Sequence, residues 1–225
     1  MTRTFFVTGT DTEVGKTAVS CALLRAAAGK GLSTAAIKPV AAGCDDDGRN
    51  EDAVALSACM TAELPYQQVN PVALQEAIAP HIAAAREERR LRAGELAGHC
   101  RGVMAAGADL VLIEGAGGWR VPLNHRETLA DLARELAIPV ILVVGMRLGC
   151  INHAVLTAEA VARDGLPLAG WVANQPGTPM ACHAENLDTL RERLPAPLLG
   201  ELPRLDPWDA DEASKFLDIQ ELIRG

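Results

Sequence analysis

Nine consecutive residues, Gly9-Thr10-Asp11-Thr12-Glu13-Val14-Gly15-Lys16-Thr17, carry chemistry that can be read before any fold is considered. A glycine loop that opens a helix aims several backbone N–H groups at one point, where the helix dipole favours an anion. Lys16 adds a mobile positive charge suited to β- and γ-phosphates, and Thr17 adds a hydroxyl suited to Mg2+. The usual spacing, G-x-x-x-x-G-K-[ST], asks for glycine at position 10. Here Thr10 stands there and Gly9 comes one residue early. An ordinary glycine turn ending in Gly-Lys-Thr is the plain alternative. The apolar run Phe5-Phe6-Val7 before the loop and the helical pattern from Ala18 to Ala28 after it decide for a phosphate-binding loop.

Other residues carry chemistry by their position. Glu114 follows four apolar residues, Leu110-Val111-Leu112-Ile113. A carboxylate at the end of an apolar strand facing a phosphate loop suits a Walker B-like metal role, because a buried acid needs a partner. Capping the next turn is the bland alternative. Gly115, Ala116, Gly117 and Gly118 behind it let backbone approach a phosphate closely. Lys38 comes directly after an apolar strand and before Pro39, which keeps it extended. It can clamp a transferring phosphoryl group or snorkel to the surface, and its chemistry alone leaves both open. Asp52, at a helix start after the acidic loop 45–47, reads by itself as complementing the helix dipole.

These residues need elements to hold them. Short apolar or β-branched runs predict strands at Thr4–Thr8, Thr34–Ile37, Leu110–Ile113, Val140–Val144, Leu168–Ala173 and Leu198–Gly200. Several are continuously apolar, as in a parallel sheet covered on both faces. Helical patterns fall at 17–28, 51–60, 93–106, 127–136, 151–163, 181–193 and 211–223. Alternation of the two predicts an α/β fold of P-loop NTPase type: a doubly wound, mostly parallel sheet with helices on both faces. The whole chain, 1–225, reads as one ATP-binding domain, with 61–92 as an excursion over the substrate side that includes a helical piece from Ile82 to Leu91. Ligands of such sheets sit beyond the carboxyl ends of the strands. One edge would therefore gather the phosphate loop, Lys38, Glu114 and Asn174.

Composition narrows the classes. Of 225 residues about half are apolar, enough for a full core without staples, and the net charge is −8. Nucleic acid as a main partner is disfavoured, since a phosphate backbone needs a basic face. Six scattered cysteines without a C-x-x-C read as a reduced, cytoplasmic chain. Cys150, His153, Cys182 and His183 lack usual zinc spacing. The longest apolar run, Ile138 to Val144, is too short to span a membrane, and Met1-Thr2-Arg3 leads straight into a strand without a secretory signal.

Five separated motifs, in order, resemble the dethiobiotin synthetase family. They are the phosphate loop with its early glycine; Lys38-Pro39-Val40; Glu114-Gly115-Ala116-Gly117-Gly118-Trp119; Leu148-Gly149-Cys150-Ile151-Asn152-His153; and Gly170-Trp171-Val172-Ala173-Asn174 followed by Pro195 to Pro203. The resemblance implies 7,8-diaminononanoate, CO2 or bicarbonate, and ATP as substrates, with Mg2+ as cofactor. It implies an N-carbamate, a mixed carbamic–phosphoric anhydride, and ring closure that releases ADP and phosphate. It puts Glu13, Val14, Gly15, Lys16, Thr17 and Ala18 on the nucleotide phosphates, and Thr17, Asp52 and Glu114 around Mg2+. Thr12 and Lys38 fall on the carbamate. Asn174 would read the adenine, with Pro203, Arg204 and Leu205 lining its pocket. Gly149, Cys150, Ile151 and Asn152, at a helix start, would hold the far carboxylate of the diamine across a homodimer interface. Ala42 stands where the family often has serine, which removes a hydroxyl from the diamine site.

Two other readings share the fold. A partitioning ATPase of the deviant Walker type would need a signature lysine where Asp11 stands. An ATP-dependent amidase of cofactor biosynthesis would bring a glutaminase domain, for which 225 residues leave no room.

Overall fold

Strand β1 (Arg3–Gly9) runs through the middle of a six-stranded sheet and delivers the chain into the loop before α1 (Lys16–Ala28). The structure is a computed structural model and describes residues 2–224. After α1 come β2 (Thr34–Ile37), β3 (Val40–Ala42), α2 (Glu51–Cys59), α3 (Tyr66–Val69), β4 (Val72–Leu74), α4 (Pro80–Arg86) and α5 (Ala93–Met104). The second half holds β5 (Leu110–Gly118), α6 (Leu129–Leu136), β6 (Val140–Gly145), α7 (Cys150–Arg163), β7 (Leu168–Asn174), α8 (His183–Arg193), β8 (Leu198–Leu202), α9 (Ala210–Ser214) and α10 (Gln220–Ile223). The strand order is β2-β5-β1-β6-β7-β8, and each neighbouring pair is parallel.

Both faces of the sheet are covered, which is why the strands are apolar throughout. Along β6, Ile141 and Val143 face the core shared with α1, α2 and α9. Val140, Leu142 and Val144 face the other side, where α5 to α8 pack. Burying each such side chain contributes roughly 1.5–3 kcal/mol. The strand order reverses beside β1, so the carboxyl ends of β1, β5 and β6 border the crevice expected in a doubly wound sheet.

Several boundaries depart from expectation. Strand β5 continues past Ile113 to Gly118, and Gly9 of β1 pairs with Gly118. Glu114 therefore lies inside a strand, opposite Val7, and not beyond its end. The expected helix 211–223 is two short helices. Between them Leu217 bridges Gly200, and Asp218 donates to the Leu199 carbonyl at 2.7 Å. A side chain at 200 would stand 2.1 Å from the Phe216 carbonyl oxygen, so glycine there lets the chain lie along β8. Helix α6 starts after Thr128, which forms a capping box with Asp131. The helical piece expected at 82–91 is α4, which stops at Arg86; Glu88 then takes a left-handed conformation. Within 61–92 the structure adds a strand to those expected: β4 pairs in parallel with β3, a further unexpected strand that follows Lys38 and Pro39.

Candidate functional site

The phosphate loop is shaped by one buried side chain. Val14, 1% exposed, fits between Gly9 and Gly145. A Cβ at Gly9 would stand 2.6 Å from Val14, and one at Gly145 would stand 2.8 Å from it. The early glycine is thus the position that Val14 needs. Gly15 takes φ 83° as the N-cap of α1, and a Cβ there would meet the Asn174 amide nitrogen at 2.1 Å. That amide, at the end of β7, donates to the Val14 carbonyl at 2.7 Å. The loop is held from both sides by contacts within the protein.

Lys16 lies buried at the first turn of α1, followed by Thr17 and Ala18, and its Nζ donates to the Asp11 carbonyl at 3.2 Å. Burial, and then the charge of Lys38, lower its pKa to about 8. Thr12 and Glu13 are exposed at the loop's tip, with the Thr12 hydroxyl beside Gly117. Asp11 accepts from the Thr12 amide at 2.8 Å and pairs with Arg147 at 2.6 Å.

Two carboxylates meet beside this loop. Asp52 comes from the first turn of α2, and Glu114, fully buried, from β5. The Thr17 hydroxyl lies 2.6 Å from Asp52 Oδ1 and 2.9 Å from Glu114 Oε1. Ser20, one turn further along α1, donates to Glu114 Oε2 at 2.7 Å. Lys38 Nζ sits 2.6 Å from Glu114 Oε1, 2.9 Å from Asp52 Oδ2 and 3.2 Å from the Gly115 carbonyl. It does not snorkel. Burial would depress Lys38, but the two carboxylates outweigh it and hold its pKa above the ordinary value. Burial likewise pushes Asp52 up, and Lys38 and Thr17 overcome this and hold it below the usual carboxylate range.

The donors fit a small hard cation. Two carboxylates and a hydroxyl already surround a positive charge, the Lys38 ammonium. Among the described residues no group of three or more His, Cys, Asp or Glu forms an all-protein metal cage. A set of two acids and a hydroxyl is what Mg2+ takes when phosphates complete its shell.

A chain of polar contacts from outside the expected motifs holds the backbone here. Asn50 caps α2 by accepting from the Asp52 amide at 3.1 Å. Its own amide donates to the Tyr66 hydroxyl at 2.8 Å, which donates to Asn70 Oδ1 at 3.1 Å. Asn70 in turn donates to the Lys38 carbonyl at 2.7 Å, while the Lys38 amide donates to Val69 at 2.7 Å. The excursion 61–92 thereby braces both Lys38 and the helix bearing Asp52. Ser20, Tyr66, Asn70 and Arg147 carried no spacing signal that singles them out.

The remaining expected residues lie on neighbouring strand ends. Register pairs Asn174 with Leu202, which places Pro203, Arg204 and Leu205 next along from Asn174's partner. Gly149, Ile151 and Asn152 are open to solvent to differing degrees at the start of α7. Cys150 is not: its side chain is buried in the core, and its amide donates to the Arg147 carbonyl at 2.9 Å. A groove of about 1130 Å³ between α4 and the 123–127 loop contains none of the expected residues. No helix among the described residues is long and apolar enough to cross a membrane.

A family model described as an AAA domain matches residues 3–212. The chain is 58% identical, over 224 residues, to the ATP-dependent dethiobiotin synthetase BioD of Cellvibrio japonicus, with 98% of each chain covered. It is 56% identical to that of Pseudomonas aeruginosa strain UCBPP-PA14, again with 98% of each covered, and 50% identical to one of Salmonella typhi, with 100% of each covered. Among solved structures it is similar to the septum site-determining protein MinD complexed with Mg-ADP from Pyrococcus horikoshii. The TM-score is 0.58 at 17% identity, covering 99% of this chain and 89% of that one. A ParA family ATPase from Chlorobium tepidum gives a TM-score of 0.55 at 10% identity, covering 99% and 98%. At these identities the structures share the P-loop NTPase fold.

Proposed function

The chain belongs to the ATP-dependent dethiobiotin synthetases, and we propose that it works through the residues gathered beside its phosphate loop. It is an ATP-dependent ligase of biotin biosynthesis. Its substrates in this reading are 7,8-diaminononanoate, CO2 or bicarbonate, and ATP. One amine adds CO2 and loses a proton to give a carbamate. The carbamate oxygen attacks the γ-phosphorus, ADP leaves, and a mixed carbamic–phosphoric anhydride results. The second amine attacks the carbamoyl carbon, closes the ureido ring and expels phosphate.

The observation that carries this reading is the meeting of Lys38 and Thr17 on Asp52 and Glu114 within reach of the buried Lys16 loop. Phosphoryl transfer depends on positioning and charge neutralisation more than on covalent help. The loop from Glu13 to Ala18 binds the phosphates, with Gly115, Ala116 and Gly117 close behind. Thr17, Asp52 and Glu114 would hold Mg2+, which would neutralise phosphate charge there. Thr12 and Lys38 orient the carbamate, and Lys16 follows the γ-phosphate. Asn174 faces the base, next to Pro203, Arg204 and Leu205.

The diamine's far carboxylate is held at the start of α7 by Gly149, Ile151 and Asn152 of a neighbouring subunit, so the working enzyme is a cytoplasmic homodimer. Leu148, 94% exposed, and Leu156, 55% exposed, leave apolar surface there that a partner would cover. ADP release tests the whole reading. It should require diaminononanoate and bicarbonate together; equal ATP turnover without the diamine would overturn it.

A further inference from the structure

Every carboxylate oxygen of the site is already engaged. Asp52 Oδ1 and Glu114 Oε1 share the Thr17 hydroxyl, Glu114 Oε2 holds Ser20, and Asp52 Oδ2 and Glu114 Oε1 hold Lys38. Lys38 Nζ thus bridges the two acids, 2.9 Å and 2.6 Å away, and its side chain is only 3% exposed. Without a cation at that point two anions would be crowded in a poorly solvated place. A divalent ion taking the same oxygens would compete with the ammonium for their lone pairs and for the charge it balances. The backbone of Lys38 is pinned through Val69 and Asn70. What can move is its flexible side chain.

We propose that Lys38 is the resident counter-cation of this cradle in the nucleotide-free enzyme. Docking of the metal–nucleotide displaces its ammonium, which reaches the anionic substrate only then. The inference rests on reading Thr17, Asp52 and Glu114 as the metal ligands. It makes the same lysine a guard against premature metal binding and a timed partner for the carbamate. Free metal alone competes poorly, because it lacks the phosphate oxygens that complete its shell.

Two measurements test this, and neither uses diamine or bicarbonate, so a failure of the proposed reaction would not decide them. In the first, Mn2+ is titrated into nucleotide-free protein and followed by electron paramagnetic resonance. Lys38→Met should bind Mn2+ about tenfold more tightly than the unaltered enzyme, or better still, because the competing charge is gone. Equal or weaker binding by a folded variant would overturn the proposal. In the second, the unaltered protein is labelled with 13C-lysine. The chain has only four lysines, Lys16, Lys30, Lys38 and Lys215. The Lys38 ε-methylene signal should stay in place with free Mg2+ or with ADP in chelator, and shift with the two together. A shift with ADP alone, or none with both, would overturn it even if Lys38→Met failed to fold.

Discussion

The Ser20 hydroxyl donates to Glu114 Oε2 at 2.7 Å, one helical turn beyond Thr17, whose hydroxyl meets Oε1 of the same carboxylate at 2.9 Å. One helix therefore grips both oxygens of an acid that has no exposure to solvent. Ser20→Ala leaves a charged oxygen buried with its bond unmade. Urea unfolding should show a loss of about 2 kcal/mol. The Mg2+ concentration for half-maximal turnover should rise, since Glu114 is no longer held in one orientation. An unchanged Mg2+ titration would make Ser20 a packing residue only.

Lys16 sets a pH dependence with a definite sign. Burial, then Lys38, hold its pKa at about 8 in the free enzyme. A bound polyphosphate favours the charged lysine, so binding above that pH takes up a proton. Affinity for MgADP, measured by calorimetry, should be flat below about pH 7 and then weaken as pH rises through about 8, by up to about tenfold per unit. In Lys16→Ala the dependence should vanish together with most of the affinity and the turnover.

The packing of Val14 against Gly9 can be tested by paired substitution. A Cβ at position 9 would sit 2.6 Å from Val14 Cγ2. Gly9→Ala should weaken nucleotide binding by about tenfold or more, and adding Val14→Ala should return part of it. Strict additivity of the two losses would mean that the contact does not shape the loop.

Tyr66 joins Asn50 to Asn70 through its hydroxyl. Tyr66→Phe should cost about 1–2 kcal/mol in thermal or urea unfolding, because the Asn50 amide loses its acceptor. Its kinetic signature should be a lower kcat at saturating ATP, as Lys38 and Asp52 lose their common brace. A stability loss with unaltered kinetics would confine the network to folding.

Mixed dimers test the shared site. Lys16→Ala should disable the phosphate loop, and Asn152→Trp should disable the helix start that, in the proposed dimer, serves the other subunit. Each alone should be nearly inactive, and exchange of subunits should restore up to about a quarter of full activity, since a two-fold dimer then has one intact site out of two in half the molecules. No recovery after demonstrated exchange would place both residues in the same subunit's site.

Much of this was legible from local pattern. The loop from Gly9 to Thr17 announces itself because strand, turn and helix each leave a signal in adjacent residues. The buried parallel strands do so because both faces are apolar. Glycine has no side chain to mark a strand, so the pattern ends the strand at Ile113, although β5 runs on to Gly118, which pairs with Gly9 after an irregularity in the register. Asp52 looked like a dipole complement because its partners, Thr17 and Lys38, are distant in sequence. The Asn50–Tyr66–Asn70 chain leaves no signal because each link is an ordinary polar residue, and its ends reach Asn50 and Lys38 across 16 and 32 residues of sequence. At the start of α7 the helix dipole was readable, but the burial of Cys150 was not.

The seating of Val14 between Gly9 and Gly145 also bears on engineering. The curvature of this loop is stored partly in β6, far along the chain from the motif itself. A graft of Gly9–Thr17 onto another parallel sheet would carry the lysine and the threonine but leave the mould behind. A host scaffold would have to present a residue without a side chain at the end of the adjacent strand, in register with the graft, before the transplanted amides could converge.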